Sequence, residues 1–240
     1  MTDNPALLAL LEVQAHDTRL DQLRHHHEVL PEREQRDGAA VALRETETSL
    51  AAETATRDEL ARQQKRVDDE VELLKEKRSG YDTKLYSGTV TSPGELQDLQ
   101  KEIDALSRRI SQLEDNEIEI MEQVEPVEAR LVELTAAAEQ RRSVLADAEL
   151  RLTAAEAETL ASIDAEEALR TESLAPVPAD LLAEYTSLRG GRGGVGVAKL
   201  LGSQCGGCHL TLYAMEVARM RKLPVDEVAH CDECGRILVP

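Results

Sequence analysis

The sequence predicts a mainly α-helical fold: a long antiparallel coiled-coil hairpin followed by a small C-terminal β ribbon. Three observations predict it. Between residues 96 and 152, steps of three and four land on apolar side chains at every stop except Glu117 and Arg141. A 3-4 repeat this long specifies a helix with one continuous apolar seam, which must wind around a partner. The same spacing runs through Leu43, Leu50, Leu60, Val67, Val71 and Leu74, with Thr46, Glu53, Arg57 and Gln64 at the polar stops. This is the partner seam. Finally, all four cysteines lie near the C-terminus, as Cys205-Gly-Gly-Cys208 and, after 22 intervening residues, Cys231-Asp-Glu-Cys234.

The elements follow in order. Asn4 can cap a first helix with Pro5 at its first position, and Leu20, Leu23 and Leu30 give it an apolar edge. Pro31 either kinks this helix or ends it and opens the next. Ser79-Gly80 reads as a helix stop, which places the hairpin loop at about residues 80–92. Ser92-Pro93-Gly94-Glu95 then opens the long helix, with Ser92 as cap, Pro93 in first position and Glu95 completing a capping box. The arms, residues 5–79 and 93–170, are nearly equal at about 75 residues, or roughly 110 Å at 1.5 Å per residue. Pro126 lies inside the second arm and costs a helix about 3 kcal/mol. The apolar phase is unchanged on both sides of it, so a kink is expected rather than a boundary.

The hairpin is assigned to residues 1–175, and a second domain of short helix plus ribbon to residues 176–240, after the linker Pro176-Val177-Pro178. Leu181, Leu182, Tyr185 and Leu188 mark one side of a helix over residues 179–188, and a glycine-rich turn occupies 190–196. Strands are expected around each cysteine pair: Val195, Val197, Leu200 and Leu201 before the first, Leu210 and Leu212 after it. Val228 precedes the second pair, and Ile237, Leu238 and Val239 follow it. Residues 213–222 between the pairs read as a helix.

Charge restricts function. The net charge is -19; up to Ala175 there are 40 acidic and 21 basic side chains, and from Pro176 onward seven of each. An acidic rod repels nucleic acid and anionic membrane, so a polyanion would have to meet the C-terminal part. Phe and Trp are absent and there are four tyrosines, which excludes a thick aromatic core. No basic run precedes an apolar one at the N-terminus, and no stretch reaches the ~20 apolar residues of a membrane span. A soluble cytoplasmic protein with no membrane partner is expected.

Two Cys-x-x-Cys pairs supply four thiolates, the donor set of a tetrahedral structural zinc. Cys205, Cys208, Cys231 and Cys234 are the expected ligands of one Zn²⁺. Two disulfides would need an oxidising compartment, and a dithiol redox centre would show one pair in a βαβ setting. Four protein ligands leave zinc no open position for water, so no enzymatic role is expected. His209 and His230 adjoin ligand cysteines and read as strand residues; His25, His26 and His27 read as a solvated helix face. The glycine run lacks the preceding strand and Gly-Lys-Ser/Thr ending of a phosphate loop. A ribbon this small should draw much of its stability from the metal, apart from the heptad core of the rod.

Two partner surfaces are candidates. Arg189, Arg192, Lys199, Arg219, Arg221, Lys222 and Arg236 form a basic cluster free of acidic excess, suited to RNA or DNA or to the zinc–thiolate charge. Tyr81, Leu85, Tyr86 and Val90 lie at the hairpin loop, where they either close the turn or anchor a protein partner.

The segments LYSGTVTSPGELQDLQKEID, LEDNEIEIMEQVE, YTSLRGGRGGVGVAKL and CGGC…CDECGRILV together resemble the bacterial C4-type zinc-ribbon proteins with an N-terminal coiled-coil hairpin. The resemblance covers essentially the whole chain and implies a helical hairpin with a zinc ribbon at its open end. Some members are described as binding an alternative sigma factor of RNA polymerase, and some as binding messenger RNA in flagellar regulation. Only the four cysteines carry over residue by residue, and Pro126 departs from the family pattern. The leading expectation is a non-enzymatic adaptor for a protein or nucleic-acid partner, in transcription or RNA regulation. The alternatives are a nucleic-acid-binding module acting through the basic face of the ribbon, and a thiol redox or metal sensor.

Overall fold

The computed structural model describes residues 4–224 and 227–240. The elements are α1 (Pro5–Glu28), α2 (Pro31–Tyr86), α3 (Pro93–Ser173), α4 (Ala179–Gly191), β1 (Val197–Leu201), β2 (Gln204–Cys205), α5 (Ala214–Met220), β3 (Ala229–His230) and β4 (Ile237–Val239). They form two compact units. Gln35–Ala148 is one; the residues up to Glu34 together with Glu149–Pro240 are the other.

Local chemistry sets the helix ends. The Asn4 side chain accepts the amides of Ala6 at 3.0 Å and Leu7 at 3.3 Å and so caps α1. Pro31 ends the run rather than kinking it, and takes the first position of α2. The expected stop at Ser79-Gly80 is corrected: α2 continues through it to Tyr86. A mid-helix glycine costs about 1 kcal/mol, which the flanking helix formers outweigh. The turn falls instead at Gly88, whose φ of +74° is the left-handed conformation that a glycine takes without strain. The loop is therefore residues 87–92, shorter than the 80–92 expected. α3 runs unbroken through Pro126 for 81 residues, about 120 Å.

In the unit Gln35–Ala148, Leu60, Val67 and Val71 of α2 pack against Ile110, Leu113 and Ile120 of α3, with Leu74, Val124 and Val127 at the margins. Ion pairs Lys75–Glu114 and Glu47–Arg142 step up one helix as they step down the other, which fixes an antiparallel register. Arg141, one of the two breaks in the apolar series, stays exposed and donates across to the carbonyl of Ala42 at 2.7 Å.

In the other unit α1 lies along the end of α3. The seam of α3 continues past Leu152 through buried Thr159 and Ile163. The pairs His16–Glu166, Arg24–Glu167 and Asp17–Arg170 follow it. The four-stranded sheet has the order β2-β1-β4-β3. β1 and β4 are parallel, Val197 opposite Ile237 and Ala198 opposite Leu238. Alternation sends consecutive residues to opposite faces. Val197, Ile237 and Val239 pack on Leu7, Leu10 and Val13 of α1 and on Leu181 and Tyr185 of α4. Ala198, Leu200 and Leu238 pack with the thiols, Leu212, and Val217 and Met220 of α5. The ribbon thus has an apolar face besides its metal face, and the expectation that it lacks a shared helical core is corrected.

Candidate metal centre and its supporting surfaces

The two cysteine pairs fold into equivalent knuckles. The amide of Cys205 donates to the carbonyl of Leu210 at 3.0 Å and that of Cys231 to Arg236 at 2.9 Å. Within each knuckle the residue after the second cysteine donates back to the first: His209 to Cys205 at 2.8 Å, Gly235 to Cys231 at 2.7 Å. That residue must adopt a left-handed conformation, with φ 63° at His209 and 71° at Gly235. Inside the first knuckle the chain runs against β1: a Cβ on Gly206 would lie 2.7 Å from the carbonyl oxygen of Lys199, so only glycine fits.

The knuckles bring Cys205, Cys208, Cys231 and Cys234 together, with all four sulfurs within 4.8 Å of one another. Cys205 and Cys234 are 3.9 Å apart, as are Cys208 and Cys231. Zinc–thiolate bonds of about 2.3 Å place tetrahedral sulfurs about 3.8 Å apart, so the set fits one structural Zn²⁺. The electrostatics favour a cation. Burial pushes the Cys231 thiol up to about 12. Burial also opposes ionisation of Cys234, but the amide and guanidinium of Arg236 and the neighbouring thiols lower it to about 7. Four thiolates this close become stable together only with a divalent charge between them. All four donors come from protein, which closes the coordination sphere. His209 and His230 are not part of the donor set; His230 pairs with Glu184 of α4 at 2.6 Å. Among the described residues His25, His26 and His27 join no metal-holding group.

A buried polar hub seats the ribbon on the helices. Asp17 of α1 accepts from the Tyr185 hydroxyl at 2.6 Å and from Arg170 Nε at 2.7 Å. Arg189 donates to the Asp17 carbonyl at 3.3 Å and to the Asp21 carboxylate at 2.6 Å. Burial works against the charge on Asp17, yet the Arg170 and Tyr185 hydrogen bonds hold its carboxyl below the usual range. Burial and the bond to Asp17 push the Tyr185 phenol up. Gln14, one turn earlier, accepts from the Gly196 amide at 2.8 Å and donates to the Gly194 carbonyl at 2.9 Å. It closes the glycine-rich segment as a peptide group would. A Cβ at Gly196 would lie 2.6 Å from the Tyr185 carbonyl oxygen, so this glycine serves close packing, not phosphate. Sequence reasoning missed the hub. Its only local signal is that Gln14 and Asp17 interrupt the apolar face formed by Leu10, Val13 and Leu20.

The basic cluster is largely committed to the ribbon itself. Arg189 serves the hub. Arg219 pairs with Asp232 at 3.4 Å, and Arg221 donates to the Gly202 carbonyl at 3.2 Å. Arg236 donates to the carbonyls of Val195 at 2.9 Å and Arg192 at 2.6 Å. Among the described residues, the side chains of Arg192, Lys199 and Lys222 have no such partner. Four large apolar side chains of the ribbon are also exposed. Leu201 pairs with Gln204 across the β1–β2 turn, and Gln204 bridges to Thr211. Leu201, Leu210, Tyr213 and Met215 are exposed around this row, the last two at 74% and 82%. At the hairpin loop Tyr81 and Leu85 are half-buried, Lys77 lies 5.6 Å from the Tyr81 ring centroid, and Tyr86 is 82% exposed. Among the described residues no helix is long and apolar enough to cross a membrane.

Comparison with known proteins agrees with this architecture. Residues 13–193 match the family model described as a CT398-like coiled coil hairpin domain, and residues 204–238 match the C4-type zinc ribbon domain. An uncharacterized protein of Mycobacterium tuberculosis, with the same figures in strains CDC 1551 and H37Rv, is 30% identical over 96% of this chain and 94% of its own length. A solved structure from Mycobacterium smegmatis superposes with a TM-score of 0.85 at 24% identity, covering 100% of both chains. That of CT398 from Chlamydia trachomatis gives 0.69 at 17% identity, covering 97% of this chain and 96% of that one. These two share the fold.

Proposed function

This chain belongs to the CT398-like coiled-coil hairpin family, and we propose that it is a zinc-ribbon adaptor that grips a protein partner through its ribbon. The coiled-coil hairpin and closed thiolate site make a non-enzymatic binding module. The observation that carries the protein reading is the exposure of Leu201, Leu210, Tyr213 and Met215 in one short stretch of the ribbon. A small domain gains nothing by leaving two leucines, a tyrosine and a methionine in water within fifteen residues of chain. Exposed apolar patches of this kind mark interaction sites, and aromatic and methionine side chains are enriched in interface cores. The proposed cellular setting is the cytoplasm, and the proposed partner class includes the transcription machinery, by analogy with the resembling family.

The test is capture of partners from native extract by the zinc-loaded full chain. Leu210→Ser with Met215→Ser should abolish capture while zinc content and helicity stay unchanged, because both side chains are already exposed. An identical set of captured proteins from wild type and double variant would refute the patch as the binding surface.

A second reading, nucleic-acid binding by the ribbon, is favoured by Arg192, Lys199 and Lys222, which have no side-chain partner among the described residues. Its signature is affinity that falls steeply as salt rises, and that is lost when Arg219, Arg221 and Lys222 are reversed to Glu. The internal bonds of Arg219 and Arg221 subtract from the charge available, which places this reading second. A thiol sensor is the third: mild peroxide would then release zinc reversibly, whereas a structural site resists.

A further inference from the structure

We propose that the tip of the hairpin is a second docking site, for an acidic protein segment carrying an apolar anchor. Between Val71 and Ile103 no side chain is buried, although the seam residues Leu74, Tyr81, Leu85, Leu96 and Leu99 continue the heptad phase through this stretch. The two helices thus leave their own seam half open at this end. Charge changes at the same place. The hairpin as a whole is strongly acidic, whereas residues 72–102 carry six acidic and five basic side chains.

The placement of those cations is specific. Along α2 a step of 100° per residue sets Lys77, Tyr81, Lys84, Leu85 and Arg78 within about one third of the helix circumference. No acidic residue of residues 75–86 falls inside that arc. Most cations of the hairpin are neutralised by a neighbouring carboxylate, as Lys75 is by Glu114 and Lys101 by Asp98. Among the described residues Lys77, Arg78 and Lys84 have no such carboxylate. Lys77 instead lies over the Tyr81 ring. The surface therefore offers three free positive charges around a tyrosine and a leucine whose seam is incomplete. A carboxylate-rich segment with one or two large apolar side chains satisfies both features: its charges pair with the cations and its anchor completes the seam. A long polyanion satisfies them poorly, because the acidic helix surface on either side opposes it.

This site is independent of the ribbon patch, so the two proposals fail separately. The test uses the zinc-loaded full chain and a fluorescein-labelled synthetic peptide of alternating Asp/Glu and Leu residues, read by anisotropy at low and high salt. The same peptide with Asn and Gln in place of the acids is the charge control, and single-stranded RNA of equal length is the polyanion control. Reversal of Lys77, Arg78 and Lys84 to Glu should weaken peptide binding by about ten-fold or more, as three charge contacts of about 0.5 kcal/mol would. Leu85→Ser should weaken it independently, and Val132→Ser, at an exposed position of the mid-hairpin outside both surfaces, should leave it unchanged. Should the reversal disturb helicity, Gln at the same three positions gives the same readout. Absence of binding, equal binding of the amide peptide, tighter binding of RNA, or indifference to the tip substitutions would each overturn the proposal.

Discussion

Each of the two compact units is stabilised internally by its own chemistry. In the mid-hairpin, stability is spread along a repeated seam in which each side chain does a similar job. In the unit that contains the ribbon, apolar packing on both faces of the sheet is joined by two polar constellations: four thiolates and the hub around Asp17. A distributed seam loses stability in small steps, whereas a constellation fails when one member is removed. The structure therefore makes one helical protein with two different sensitivities to substitution.

The largest effect should come from the metal centre. Cys231→Ser, or removal of zinc by a chelator, should unfold the thiol face of the ribbon, since structural zinc binding is worth about 10–16 kcal/mol. Helicity of the mid-hairpin should persist. Metal analysis with circular dichroism checks this, and full zinc occupancy in the variant would contradict it. Next comes the hub. Asp17→Ala leaves the Tyr185 hydroxyl and Arg170 without their buried acceptor and should cost about 3 kcal/mol in denaturant unfolding. Leu60→Ala, in the buried part of the seam, should cost about 2 kcal/mol, at the low end for a leucine because a two-helix interface surrounds it incompletely. If the seam variant proves the more damaging of the two, the contrast between the units fails.

The hub also makes one unit acid-sensitive. The folded-state pKa of Asp17 is depressed. Its contribution is therefore fully present above the unfolded value of about 3.9 and is lost as pH falls through the folded value. Asp17→Asn should flatten that part of the stability–pH curve below about pH 4, and an unchanged curve would remove Asp17 from the account. The smallest effect concerns the two knuckles. His209 holds a left-handed conformation that Gly235 holds in the other. His209→Gly should raise stability by about 1 kcal/mol, and Gly235→Ala should lower it by at least as much. Thermal unfolding of the zinc-loaded chain distinguishes the two signs.

What could be read from the sequence follows the same division. The seam was legible because a heptad repeats, so Ile103, Leu106, Ile110 and Leu113 predict one another. The metal centre was legible because two residues of spacing is itself the geometry of a knuckle. The hub was not, because Asp17 meets Arg170 and Tyr185 only after the chain has gone out along α2 and back along α3. The stop assigned to Gly80 was wrong because a glycine signals a turn only where the backbone needs its conformation, and Gly88 is the one at positive φ. The strain at His209 was within reach: aligning Cys-x-x-Cys-His with Cys-x-x-Cys-Gly puts it opposite Gly235. The exposure of Tyr213 and Met215 left no trace, since an apolar residue in a strand-and-helix segment looks the same whether covered or bare.

The packing of α1 on β4 has a consequence for biosynthesis. Leu7, Leu10 and Val13 are covered by Ile237 and Val239, more than two hundred residues downstream. During synthesis α1 therefore emerges more than two hundred residues before β4 and waits that long for its sheet. The mid-hairpin can zip up from its loop as soon as α3 appears, because its contacts are local to the turn. The unit that closes later is therefore the one whose contacts span the hairpin in sequence, and its apolar helix face is the surface that the unfinished chain must keep from aggregating.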